Sequence, residues 1–83
     1  MYYIVYSSVT FATGIKNHFR YSADYIGVLH TPAKISGGSC SYCLTVKNEA
    51  KAREIVKVSQ DYGIKIKGIY KETEKDQYTE VLF

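Results

Sequence analysis

Two cysteines, Cys40 and Cys43, follow the segment Gly37-Gly38-Ser39. They are the residues of this chain best suited to chemistry. A thiol acts as a nucleophile or a metal ligand only as the thiolate, and a free cysteine with a pKa of about 8.5 is mostly protonated at neutral pH. Amides of a Gly-Gly-Ser turn that point into one concavity would favour the thiolate, and Lys34 or His30 would add a positive charge. We therefore expect a loop to support the thiol. Its members are Lys34, Ser36, Gly37, Gly38 and Ser39.

The spacing of the two cysteines separates their roles. In a continuous strand the Cα atoms of residues 40 and 43 would lie ~10 Å apart, at ~3.3 Å per residue, whereas a disulfide needs them within about 7 Å. A dithiol switch would need a turn at Ser41-Tyr42, but a single reactive thiol would not. Alternation places Cys43 in a strand with Leu44 and Val46, and Cys40 at the loop edge. We predict Cys40 as the reactive thiol and keep Cys43 as a possible second one; the alternative is that both are structural or inert.

A metal site and an enzyme active site are weaker interpretations. Zinc in a structural site takes four ligands, and only His18 and His30 are available besides the cysteines, without finger-like spacing. Soft-metal binding (copper or zinc) by Cys40 and Cys43 is kept as an alternative. Catalysis would need acid–base groups within reach of the sulfur, and no such set is evident. We expect a carrier or binding protein without a cofactor.

Composition indicates one small globular domain. The 83 residues are 46% hydrophobic and 23% charged, with a formal net charge of +3. The lysines are spread along the chain, which does not favour nucleic-acid binding. No apolar stretch reaches the ~18 residues of a membrane span, and the first residues lack the basic region and cleavage site of a signal peptide. We expect a cytoplasmic protein, in a compartment that keeps cysteines reduced.

Apolar periodicity predicts six elements. They are strands at 2–7, 25–30, 42–47 and 64–71, a first helix capped by Ser8 or Thr10, and a second helix capped by Asn48. The first helix carries a stripe of Phe11, Ile15 and Phe19, and Thr31-Pro32 ends the second strand. The second helix ends at Gly63. Its buried stripe is Ala52, Ile55, Val56 and Ser59.

The order β-α-β-β-α-β predicts an α+β, ferredoxin-like sandwich. Two helices would cover one face of a four-stranded antiparallel sheet, formed by a domain of residues 1–71. Residues 72–83 would be a C-terminal tail or an added edge strand. The other sheet face would be open, so the alternative function is a non-enzymatic interaction or regulatory module that associates through this face, as a homodimer or with another protein.

Several short features occur in an order that resembles the selenium/sulfur (Se/S) carrier-like family of small bacterial proteins. They are Ser8-Val9-Thr10-Phe11, Thr31-Pro32, Ile35-Ser36, Gly38-Ser39-Cys40-Ser41-Tyr42, Gly63 and Gly68-Ile69-Tyr70. The resemblance covers about residues 2–71. It implies that Cys40 carries sulfur or selenium as a persulfide or its selenium analogue, with a cysteine desulfurase or a sulfur or selenium acceptor as partner. Relatives usually have a small residue at position 43, so a dithiol or metal role would be peculiar to this chain.

Overall fold

The short strand β1 lies in the centre of the sheet and every one of its residues is buried. The computed structural model describes residues 1–38 and 40–83. Its elements are β1 Tyr2–Tyr6, α1 Val9–His18, β2 Gly27–His30, α2 Ala33–Ser36, β3 Tyr42–Val46, α3 Glu49–Asp61, β4 Gly68–Glu74 and β5 Gln77–Glu80. None of the helices in the described residues is long and apolar enough to cross a membrane.

The sheet is antiparallel, with the strand order β2-β3-β1-β4-β5. The expected α+β class is confirmed, but the expected count of two helices and four strands was wrong: the described residues form three helices and five strands. The fifth strand exists because the chain reverses after β4 at Asp76, which has a φ of 62°. Aspartate tolerates this left-handed conformation better than most residues. The returning segment then pairs with β4, Tyr78 opposite Glu72.

The first sheet face and the helices α1 and α3 enclose the larger core. The predicted stripe of α3 is confirmed, since Ala52, Ile55, Val56 and Ser59 are all buried. The side chain of Asn48 caps this helix by accepting a hydrogen bond from the Lys51 amide at 3.2 Å. Ile15 in α1 and Phe19 at its C-cap are buried as expected, but Phe11 is 42% exposed. Phe11 lies in the first turn of α1.

The second sheet face is partly covered, which corrects the expectation of an open face. Tyr3, Val5 and Cys43 are buried on this side, with Ile35, Tyr70 and Tyr78 packed against them. Ile35 belongs to α2, a single helical turn in a segment that we expected to be a loop. The turn forms because the Ile35 and Ser36 amides donate to the Pro32 carbonyl oxygen. It ends at Gly37, which has a φ of 66°.

One buried hydrogen-bond chain links the central strand to α3. The hydroxyls of Tyr6 and Ser59 lie 2.7 Å apart, and Ser59 Oγ donates to the Ile55 carbonyl oxygen at 2.9 Å. Because that bond uses the only hydroxyl proton of Ser59, the Tyr6 hydroxyl is the donor between the two side chains. Both residues are 0% exposed. Burial raises the pKa of Tyr6 to about 12, and the hydrogen bond with Ser59 opposes this shift.

We predict that Ser59→Ala destabilises the protein more than Tyr6→Phe does. Ser59→Ala leaves a buried phenol without a partner, at a cost of ~1–3 kcal/mol, whereas Tyr6→Phe leaves Ser59 with its own hydrogen bond and costs ~1 kcal/mol. The double variant should recover part of the loss of Ser59→Ala, since it removes the unpaired hydroxyl. Urea unfolding of the four proteins measures these differences. Strictly additive losses would contradict this account of the hydrogen-bond chain.

Candidate functional site

The ends of four strands lie side by side at one end of the sheet, and Cys40 lies at this end. The last paired row contains Tyr6, Tyr42 and His30, where β1 and β2 end and β3 begins. β4 starts beside it, because the Lys67 amide donates to the Val5 carbonyl oxygen at 2.8 Å. The residues that adjoin these strand ends are Ser7, Thr31, Cys40, Ser41 and Lys67. We call this group the thiol edge.

The two cysteines occupy different environments. Cys40 is exposed, whereas Cys43 is buried. The Thr31 amide donates to the Ser41 carbonyl oxygen at 3.0 Å, which extends the pairing of β2 with β3 by one residue and holds Ser41 against the sheet. Alternation then assigns Ser41 and Cys43 to the same face, and residue 40 to the opposite side. The structure does not bring the two predicted thiols together in one exposed site.

Cys43 is poorly suited to nucleophilic or metal chemistry. Burial raises the pKa of its thiol to about 11, because the thiolate would lose its hydration in the sheet interior. The side chain of Thr31 opposes this shift without reversing it. The interaction is weak, since Thr31 Oγ1 makes no hydrogen bond of normal geometry with a described residue. At neutral pH Cys43 is therefore a protonated, apolar core residue.

The predicted supporting loop is built differently from our expectation. The Gly37 amide donates to the Ala33 carbonyl oxygen at 2.8 Å, and the Gly38 amide donates to Ser36 Oγ at 3.2 Å. Both glycine amides are therefore used within the loop, and the support of the Cys40 thiol by this loop stays a prediction. Both glycines have positive φ, 66° and 93°, a conformation that explains the glycine pair. Ser39 lies outside the described residues.

The two cationic side chains expected near Cys40 lie on separate elements. Lys34 is exposed on α2. His30 is exposed at the end of β2, and its ring packs against the Tyr42 ring with centroids 4.4 Å apart. Residue 40 lies two positions before Tyr42, so His30 is on the same side of the sheet as that position. His18 is distant in this arrangement, hydrogen-bonded to the Tyr62 hydroxyl at 2.9 Å.

Sequence reasoning did not assign Lys67 or Tyr70 to this site. Together with Ser41 they line a cavity of about 170 Å³ on the second face, beneath α2. Their proximity depends on the pairing of β1 with β4, in which Val5 lies opposite Gly68. The alternating pattern of residues 64–71 predicted a strand but not its neighbour, so no local signal joined Lys67 to Ser41.

A metal centre is not supported by the described part of the chain. No three His, Cys, Asp or Glu side chains cluster there in a way that could hold an ion. The two-thiolate alternative would require Cys43 to ionise in the core, against the direction of its pKa shift. What remains is a small α+β protein with one exposed thiol at the end of its sheet and a second thiol buried behind it.

A family model described as "Putative Se/S carrier protein-like" matches residues 1–71. The chain belongs to this family, which confirms the resemblance seen in the sequence. The matched range includes Cys40, α2 and the first part of β4. No curated protein and no solved structure matches the chain.

We predict that alkylation distinguishes the two thiols. In the folded protein, iodoacetamide should modify Cys40 alone, because Cys43 is 0% exposed and its thiol is protonated. Intact mass should therefore show one adduct under native conditions and two in urea. Cys40→Ala should show none until it is unfolded. Rapid double alkylation of the native protein would contradict the burial of Cys43.

Stability should fall at alkaline pH in a way that depends on Cys43. The pKa of Cys43 is raised in the folded state, so its stabilising contribution is complete below the unfolded-state pKa near 9 and is lost as pH rises through the folded value of about 11. Between about pH 8 and pH 10.5 this loss should reach ~2 kcal/mol. Tyr6 adds a loss that begins near pH 10, for the same reason.

Urea unfolding of two variants at these pH values separates the contributions. Cys43→Ala should show a shallower decline than the native chain, whereas Cys40→Ala should keep the native slope. Equal slopes in the two variants would show that the buried thiol does not titrate as described. The comparison uses slopes, so a constant loss of packing in Cys43→Ala does not affect it.

Proposed function

We propose that this protein carries sulfur or selenium on Cys40, as a persulfide or its selenium analogue, and passes the atom between partner proteins. The observation that carries the proposal is the contrast between an exposed thiol at the thiol edge and a buried, protonated thiol three residues later. Membership of the Se/S carrier-like family supports it. A carrier needs an accessible sulfur and room for docking enzymes, and it needs no enclosed substrate site.

The transfer is a thiol–persulfide exchange. The Cys40 thiolate attacks the outer sulfur of a donor persulfide, such as one on a cysteine desulfurase. A bond forms between Cys40 Sγ and that sulfur, the donor sulfur–sulfur bond breaks, and the donor leaves as a thiolate that takes up the proton lost by Cys40. An acceptor repeats the exchange at the outer sulfur of Cys40. No external oxidant or reductant is consumed.

The burial of Cys43 protects the carried atom. A second, ionised thiol near Cys40 would attack the persulfide, form an intramolecular disulfide and release the outer sulfur as hydrosulfide. Cys43 is buried and has a raised pKa, so it lacks both the access and the thiolate that this attack requires. A reducing compartment such as the cytoplasm, the location expected from the sequence, would keep Cys40 reduced between transfers.

The architecture that belongs with this proposal is a ferredoxin-like core with two additions. The order β2-β3-β1-β4 and the packing of α1 and α3 on one face support this assignment. α2 and β5 are then additions that cover the second face and lengthen the sheet. Both additions leave the thiol edge accessible at Cys40.

Intact mass after incubation with a cysteine desulfurase and cysteine tests the proposal. The native protein should gain the mass of one sulfur atom, removable by a thiol reductant. Cys43→Ala should gain the same adduct, and Cys40→Ala should gain none. A selenium adduct formed with selenocysteine as the substrate would extend the assignment to selenium.

Two results would overturn the proposal. One is an unmodified native protein under conditions in which the desulfurase itself becomes persulfidated. The other is an adduct that persists in Cys40→Ala and disappears in Cys43→Ala.

A further inference from the structure

We propose that the cavity beneath α2 is a binding site for a small inorganic oxyanion, held by Lys67, Ser41 and Tyr70. The inference goes beyond the carrier function, because none of these residues is the carrier thiol. The cavity has a volume of about 170 Å³. Its lining residues are Val5, Ile35, Ser36, Ser41, Lys67 and Tyr70.

Ser41 supplies a polar group that lacks a partner. The residue is 3% exposed, and its hydroxyl makes no hydrogen bond within the part of the chain that the structure describes. A buried hydroxyl without a partner is costly, and folded proteins rarely keep one unless water or a ligand satisfies it. The bond from the Thr31 amide fixes the backbone of Ser41, and Ser41 lies in the lining of the cavity.

Lys67 gives the cavity its charge. Its backbone amide is bonded to the Val5 carbonyl oxygen, which anchors the lysine beside the sheet. Among residues 1–38 and 40–83 the ion pairs involve Lys51 and Arg53, and Lys67 takes part in none of them. No carboxylate lines the cavity; Glu80, opposite Tyr70 on β5, is outside its lining. Lys67 is therefore the one charged residue among the described residues that line this cavity.

Tyr70 brings a further donor to the same place. Its ring lies over Gly68, where a Cβ atom would come within 2.8 Å of the ring and 3.3 Å of the hydroxyl oxygen. Because Gly68 has no side chain, the Tyr70 ring can occupy the space next to residue 67. The phenol makes no hydrogen bond with another described residue, so it remains available to a ligand.

The size and chemistry of the site fit a four-oxygen anion. A water molecule takes up about 30 Å³ in the liquid, so the cavity has room for phosphate or sulfate with accompanying water. The Lys67 ammonium and the Ser41 and Tyr70 hydroxyls can each donate a hydrogen bond to an anion, and no carboxylate among the described lining residues repels it, so the lining favours oxyanions over cations. With a single lysine, affinity should be modest, with a dissociation constant of about 1 mM.

Amide NMR titration of the full chain with sodium sulfate and with inorganic phosphate tests this site, at constant ionic strength set with chloride. We expect saturable shifts at residues 35, 36, 41 and 67–70. Sulfate preferred over phosphate would indicate a sulfur oxyanion as the natural ligand, and the reverse preference a phosphate group. Lys67→Gln should weaken binding ~10-fold or more, because it removes a charge-assisted hydrogen bond.

Three variants complete the test. Lys65→Gln removes an exposed positive charge from the same segment without changing the cavity and should leave affinity unchanged. Ser41→Ala should weaken binding by a smaller factor than Lys67→Gln, and its amide spectrum shows whether the fold is intact. Cys40→Ala should bind as the native chain does, even if the carrier proposal fails.

Three results would overturn the proposal and leave a cavity filled by water. They are shifts that do not saturate, shifts that chloride reproduces, and shifts that Lys65→Gln and Lys67→Gln reduce equally.

Discussion

The pairing of β1 with β3 on one side and β4 on the other determines where the groups of the thiol edge lie. Val5 is paired with Cys43 in one direction and with Gly68 in the other, so the buried thiol and the start of β4 are fixed relative to one central residue. Side chains alternate between the two faces of a sheet. A slip of one residue between β1 and β3 would therefore move Cys43 into the helical core, and a slip between β1 and β4 would displace Lys67 from Ser41. The buried residues on both faces of β1 oppose such a slip.

The same register gives the two cysteines opposite chemical properties. Cys43 lies within β3 and is buried. Its thiolate would be without hydration there, which raises the pKa of the thiol. Cys40 lies beyond the last paired row and keeps its exposure. Separation by the sheet thus allows two thiols three residues apart to coexist without forming a disulfide.

Local signals predicted the elements whose causes are local. Asn48 predicted the start of α3, and Gly63 predicted its end. Thr31-Pro32 predicted the end of β2. Helix caps and proline act on residues within one turn of the chain, so such signals are local. The exposed position of Cys40 and the strand position of Cys43 also followed from a short alternating pattern.

The sequence did not settle features that depend on distant partners, and it left residues 72–83 as either a tail or an added edge strand. β5 needs β4 as a template, and its polar residues carry little strand signal of their own. The turn α2 is four residues long and gains its burial from Ile35 against β1 and β3. The cavity joins Ser41, Lys67 and Tyr70 from separate segments, so it becomes visible only when the strand order is known.

The anchoring of Ser41 limits how a thiol at residue 40 can work. A carrier on a long flexible arm swings its cargo between partners, but here the chain is bonded to the sheet one residue after the thiol, through the Thr31 amide. The bond at Ser41 therefore restricts how far Cys40 can move away from the sheet. If Cys40 carries sulfur as proposed, a donor and an acceptor would each have to approach the thiol edge itself and would compete for it. Transfer through this protein would then proceed by successive docking at one surface, and both partners would bind the same end of the sheet.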